Sequence, residues 1–125
     1  MPEQPQDICD GTLTVRSSKD GDTLLVSLCG ELDLANSDTA EAALTGALKT
    51  GEQVIVDMSE LEFIDSTGIA LLVAALRGDG VAGRLRFIPS RFSAVSRVLQ
   101  VTGIEERLPL ADSSPDGMPE ASSPA

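Results

Sequence analysis

An acid, two hydroxyls and a glycine stand in a row at Asp65, Ser66, Thr67 and Gly68, ahead of the apolar run 69–76. Such a step could hold a hydroxyl nucleophile, a helix cap, or a hydroxyl that another protein modifies. Nucleophilic use needs a base beside Ser66, yet the chain has no histidine and only two lysines, Lys19 and Lys49, and G-x-S-x-G is absent. A Ser-His-Asp arrangement is therefore impossible, and the remaining reading is a serine acted upon. At the expected start of a helix its hydroxyl can accept a hydrogen bond from a free backbone N–H, which predicts an N-cap worth ~1 kcal/mol. Capping alone leaves the crowding of Asp65, Ser66 and Thr67 unexplained, as it does Gly68, where a backbone or partner can approach closely.

Other strings with chemical potential fail on their context. GDGVAG, residues 78–83, matches G-x-G-x-x-G, but it follows a predicted helix and precedes a predicted strand. A dinucleotide fingerprint needs the reverse order, so that a helix N-terminus meets the pyrophosphate. Asp57 ends a strand-like run as a phospho-accepting aspartate would, but the early acidic pair and late lysine of receiver domains are missing, and a strand-end cap suffices. Cys9 and Cys29 have no metal-ligand spacing. Without histidine a zinc site would have to be all-thiolate or all-carboxylate. No metal, cofactor or enzymatic activity is expected.

Charge and size narrow the partners. The chain carries a formal net charge of −11 over 125 residues, and six of its twenty acids lie in the two ends, which hold no Lys or Arg. The body, residues 11–110, keeps fourteen acids against nine bases, a net of −5. Nucleic-acid binding rests on clustered Lys and Arg and, for single strands, on aromatic platforms; three Phe with no Trp or Tyr supply neither. No apolar stretch approaches the ~20 residues of a membrane span, and MPEQPQDICDG does not resemble a signal peptide. A single cytoplasmic domain with no membrane or direct nucleic-acid partner is expected.

The elements that must position Ser66 follow from hydrophobic spacing. TLTVRSSK (12–19) and TLLVSLCGELD (23–33) flank an Asp-Gly turn and read as a hairpin. Ala43, Leu44, Ala47 and Leu48 recur at helical spacing, with Asn36, Ser37 and Asp38 available as caps and Gly51 as a stop. EQVIVDMS (52–59) reads as a strand buried on both faces by helices. A second, more apolar helix covers 66–77, a strand 84–90, and a third helix carries Phe92, Val95, Val98 and Leu99 up to Gly103. A last strand is placed at 107–110. The predicted fold class is α/β, one domain over 11–110 with a mixed, mostly parallel sheet of about five strands and helices packed against it. Residues 1–10 read as a flexible leader and 111–125 as a flexible acidic Ser/Pro-rich tail. Cys29 reads as a small buried hydrophobe.

With these elements in place, CGELDLAN (29–36), VIVDMSELEFIDSTGIALLV (54–73) and RFSAVSRVLQVTGI (91–104) resemble the STAS domains that act as anti-sigma factor antagonists. The resemblance spans residues 12–110, and its most specific part is the Asp-Ser-Ser/Thr-Gly step. In that family the first hydroxyl of the step is phosphorylated by the anti-sigma factor, a serine kinase, and cleared by a serine phosphatase. The resemblance thus implies that Ser66 is the acceptor, that Glu31, Asp33, Asn36, Asp65, Ser66, Thr67 and Gly68 form the partner-binding surface, and that the unmodified chain binds the kinase and so frees a sigma factor. It also offers an alternative, a scaffold subunit of a signalling or lipid-transport assembly with Ser66 unused. Family members often continue into a fourth helix, which the three prolines after residue 111 do not favour, leaving the edge near Leu108 and Leu110 less covered.

Overall fold

The computed structural model describes residues 6–78, 81, 83–104, 106, 108 and 109. In chain order the elements are β1 (Gln6–Asp10), β2 (Leu13–Asp20), β3 (Thr23–Leu32), α1 (Ser37–Leu48), β4 (Gln53–Asp57), β5 (Leu61–Ile64), α2 (Ser66–Leu76), β6 (Leu85–Ile88) and α3 (Ser93–Val101). The strands form one six-stranded sheet in the order β1-β2-β3-β4-β6, with β5 on β3. β1, β2 and β3 form an antiparallel meander, and β4, β5 and β6 join in parallel, so three of the five pairings are parallel. This is the expected α/β class.

Two tight turns build the meander. Asp10 pairs with Leu13 and Asp20 with Thr23, leaving two-residue loops in which Gly11 and Gly21 take φ of 63° and 64°. Positive φ at the first loop position matches the twist of a hairpin, and glycine adopts it without strain. The first of these hairpins corrects the reading of residues 1–10 as a flexible leader. Residues 6–10 form an edge strand, tied to β2 by Arg16, whose Nε and Nη2 donate to the two Asp7 carboxylate oxygens at 3.0 and 3.1 Å. Residues 1–5 and the tail 111–125 lie outside the described residues.

The helices lie against one face of the sheet. Val26 and Leu28 of β3, Val54 and Val56 of β4, and Leu85 and Phe87 of β6 are fully buried in one core with Leu44, Leu72, Val95 and Leu99 from the three helices. Their neighbours Ile55 and Asp57 are only half-buried, which corrects the expectation that β4 is covered on both faces. The β-branched run of β4 reflects strand propensity and one-sided packing, and each fully buried Val or Leu on that side contributes roughly 1.5–3 kcal/mol. Cys29 sits on the less covered face and is half-buried, so it is not the core residue that its apolar surroundings predicted; burial still pushes its thiol pKa up, which disfavours the thiolate.

The connections agree with the less exotic readings. GDGVAG links α2 to β6, with Gly83 at φ 82°. Asp57 Oδ1 accepts from the Ser59 N–H at 2.9 Å, closing the end of β4. Arg84 ties two elements together, donating from Nη1 to the Glu52 carbonyl at 2.7 Å and from Nη2 to that of Leu48 at the C-terminus of α1 at 3.3 Å. Of the strand expected at 107–110, Arg107 and Leu110 lie outside the described residues. Pro109 accepts from the Phe87 N–H at 2.8 Å, and Leu108 is buried rather than open.

β3 serves two neighbours along one edge, and Gly30 makes that possible. Residues 23–27 pair with β4 and residues 30–32 with β5, with a register shift between Gly30 and Glu31. At this bulge Gly30 has φ 102°, its N–H donates to the Glu60 carbonyl, and a Cβ there would collide with the carbonyl oxygen of Thr12. Strain and collision together predict that Gly30→Ala lowers unfolding free energy by at least ~2 kcal/mol in urea denaturation, whereas Gly46→Ala, in the last turn of α1 and open to a Cβ, raises it by up to ~1 kcal/mol.

Candidate functional site

The end of the sheet where β3 and β5 finish carries the Asp65–Gly68 step. Asp65 is the N-cap of α2, with extended backbone, and Ser66 is the first helical residue. This corrects the reading of Ser66 as the cap. Asp65 Oδ1 accepts from the Gly68 N–H at 3.0 Å, so the carboxylate takes the place that the serine hydroxyl was expected to fill. Aspartate ranks with serine as a cap, so an acid directly before the hydroxyl was the available signal.

The second Asp65 oxygen reaches across to the loop after β3. Oδ2 accepts from the Leu34 N–H at 3.1 Å, and the Asp65 N–H donates to the Leu32 carbonyl at 3.2 Å. The loop is closed from within as well. Asp33 Oδ1 accepts from Ala35 N at 3.1 Å, Asn36 Oδ1 accepts from Asp33 N at 3.0 Å, and Asn36 Nδ2 donates to the Glu31 carbonyl at 3.0 Å. Asn36 is only 2% exposed. Its side chain, expected on the partner surface, is turned into the loop and does not cap α1; it is a strut inside the loop. Asp33 has one carboxylate oxygen on its own turn and is half-buried.

Gly68 is likewise internal. A Cβ there would lie 2.7 Å from Ile64 Cγ1 and 2.9 Å from Leu32 Cγ, so glycine lets the first turn of α2 sit directly on the ends of β3 and β5. What reaches solvent is a shorter set: Ser66 and Glu31 are exposed and Thr67 is half-buried. The Ser66 hydroxyl has no hydrogen-bond partner among the described residues, nor do the Ser66 and Thr67 amides, which are free donors at a helix N-terminus. Asp65, Ser66 and Thr67 therefore share the start of α2, bonded through Asp65 to the loop that Asp33 and Asn36 close, while Glu31 pairs with Phe63 of β5.

Residue spacing did not single out three further side chains. Leu34 is 74% and Phe63 44% exposed, both beside this step. Ser90 is buried after β6, where its hydroxyl donates to the Leu61 carbonyl at 2.7 Å and accepts from Phe92 N at 2.9 Å, fixing β5 to the start of α3. Its position after Ile88-Pro89 looks like any loop serine, so nothing in the local pattern announces it.

Comparison with known proteins follows the same frame. Residues 15–111 match the sequence profile of a family described as "Mlab, STAS domain". The chain belongs to the STAS domain family. The structure of an anti-sigma factor antagonist from Mycobacterium paratuberculosis superposes on this STAS domain with a TM-score of 0.74, at 24% identity over 83% of this chain and 89% of that one. The anti-sigma factor antagonist SpoIIAA in its unphosphorylated form gives 0.62 at 23% identity, over 78% and 87%. The Bacillus cell fate determinant SpoIIAA in its phosphorylated form gives 0.57 at 26%, over 78% and 90%. The first two likenesses establish a shared fold. Among the described residues of this STAS domain no helix is long and apolar enough to cross a membrane.

The double use of Asp65 makes a graded prediction. Asp65→Ala removes the cap and the loop tether together and should cost ~1–2 kcal/mol of stability, with faster amide exchange at both Gly68 and Leu34. Asp65→Asn keeps one acceptor for Gly68 but replaces the other by a donor. Denaturation should register a smaller loss, and hydrogen exchange should accelerate at Leu34 while Gly68 stays protected.

Proposed function

We propose that this STAS domain is an anti-sigma factor antagonist: unmodified, it binds an anti-sigma factor serine kinase and frees a sigma factor, and phosphorylation of Ser66 ends that binding. The observation that carries the reading is the exposed Ser66 hydroxyl, without internal partners, on a helix start that Asp65 holds rigid. A kinase brings its own Mg²⁺ and ATP, so the substrate need only present a hydroxyl in fixed geometry. The domain itself is then a binding module working in the cytoplasm, not a catalyst, and a serine phosphatase resets it.

Phosphate on Ser66 adds about −1.5 to −2 charge next to two free amides at a positive helix end, a setting that favours an anion. The fold therefore survives the modification. Since the Ser66 hydroxyl has no hydrogen-bond partner among the described residues, no such bond is lost. Release instead arises at the interface, where a dianion must be stripped of water in a space shaped for a hydroxyl. The effective cost of desolvating an ion is several kcal/mol, and every 1.4 kcal/mol is tenfold in affinity.

The alternative, a scaffold subunit of a signalling or lipid-transport assembly, leaves Ser66 unmodified. Anti-sigma-type serine kinases encoded in the same genome, purified one at a time, separate the two. With one of them and ATP, the wild-type chain and Thr67→Ala should gain the mass of one phosphate and Ser66→Ala none. Ser66→Ala should bind that kinase as tightly as wild type, and Ser66→Asp at least tenfold more weakly. Absence of any phosphorylation with every such kinase, or equal binding by Ser66→Ala and Ser66→Asp, contradicts the switch.

A further inference from the structure

Two large apolar side chains stand open at the end of the sheet that carries Ser66, and neither belongs to the partner surface that the family resemblance implies. Leu34 is 74% exposed in the loop after β3, and Phe63 is 44% exposed on β5. Both lie within two residues of the paired Leu32 and Ile64, and Phe63 is in register with Glu31. A lone exposed leucine needs no explanation in a soluble domain. Leu34 differs in how its backbone is held. Its own N–H is bonded to Asp65, the N–H groups before and after it to Asn36 and Asp33 side chains, and the loop closes through Asn36 N donating to the Asp33 carbonyl at 3.1 Å. An exposed leucine on a loop so fixed loses little backbone entropy when something covers it.

The charge around the pair indicates what covers it. Residues 31–38 and 60–68 contain six acids and no Lys or Arg. Asp33 and Asp65 accept from backbone amides, and Glu60 is paired with Arg91 at 2.9 Å. Glu31, Asp38 and Glu62 have no ion-pair partner among the described residues. Phe63 thus sits between Glu62 along the strand and Glu31 across it. Two exposed apolar side chains set among unpaired acids fit a partner surface with apolar pockets bordered by Lys and Arg.

We propose that Leu34 and Phe63 are the apolar anchors of the anti-sigma kinase interface, seated in such pockets, with Ser66 covered inside the contact by uncharged surface that has room only for its hydroxyl. This rests on the switch reading given above and adds to it. Affinity comes mainly from the buried leucine and phenylalanine, whereas Ser66 only has to be small. The uncompensated acids speed encounter and set orientation, so their effect weakens with salt.

The test is the affinity of the kinase for the full chain and four variants, Leu34→Ser, Phe63→Ser, Val101→Ser and Ser66→Asp, each checked by thermal melting. Val101 is 79% exposed at the end of α3 and serves as the control for losing an exposed apolar side chain. Leu34→Ser should melt like wild type and Phe63→Ser at a lower temperature but still folded under the binding conditions; both should bind at least tenfold more weakly, with Val101→Ser within twofold of wild type. Raising ionic strength should lower wild-type affinity through slower association. If Ser66→Asp weakens binding but Leu34→Ser and Phe63→Ser stay within twofold of wild type, the anchors are refuted and the switch stands. Binding by no anti-sigma kinase, even of the unmodified wild-type chain, overturns both.

Discussion

One carboxylate holds the functional end of this domain together. Asp65 spends one oxygen on the first turn of α2 and the other on the backbone of the loop after β3, while its own N–H continues the β3–β5 ladder. A hydrogen bond to an ionised acceptor is stronger than one between neutral groups, and here two such bonds converge on one half-buried side chain. The helix start, the loop and the strand ends therefore form one unit. Ser66 owes its fixed position to this unit, since its own side chain makes no hydrogen bond among the described residues.

The division of labour among neighbours follows from that constraint. Groups that looked able to meet a partner are consumed in building the platform: Asn36 braces the loop from inside, Asp33 closes its turn, and Gly68 lets α2 settle on Leu32 and Ile64. Groups left over are the exposed serine, the free helix amides and the acids Glu31 and Glu62. A platform that is internally complete can change the chemistry of its surface without changing shape. That property suits a protein switched by modification, because the modified and bare forms then differ only in what they present.

Much of this was legible in the residues, for reasons that differ by element. The β2–β3 hairpin and the helices were readable because alternation and helical spacing are strong wherever one face is buried, and the sequence Asp-Ser-Thr-Gly before a long apolar run fixed where α2 begins. β1 was hidden because an edge strand needs little apolar surface: QDICD is held by its ladder, by the Gly11 turn and by the Asp7–Arg16 pair, none of which leaves a hydrophobic period. β5 was hidden by length, four residues at a bulge in its partner. The roles of Asp65 and Asn36 escaped because a capping residue type is recognisable in a string, but which of several adjacent candidates supplies the bond depends on where the neighbouring loop passes.

The central claim is that a phosphate on Ser66 alters binding and leaves the fold alone. Titrating the anti-sigma kinase, without nucleotide, with the unmodified chain and with the chain phosphorylated only at Ser66 tests it most directly, provided circular dichroism and thermal melting are recorded on both forms. The account predicts superimposable spectra, closely similar melting and an affinity at least tenfold lower for the phosphorylated form. Equal affinities would contradict it, and so would a loss of affinity accompanied by loss of α2 helicity.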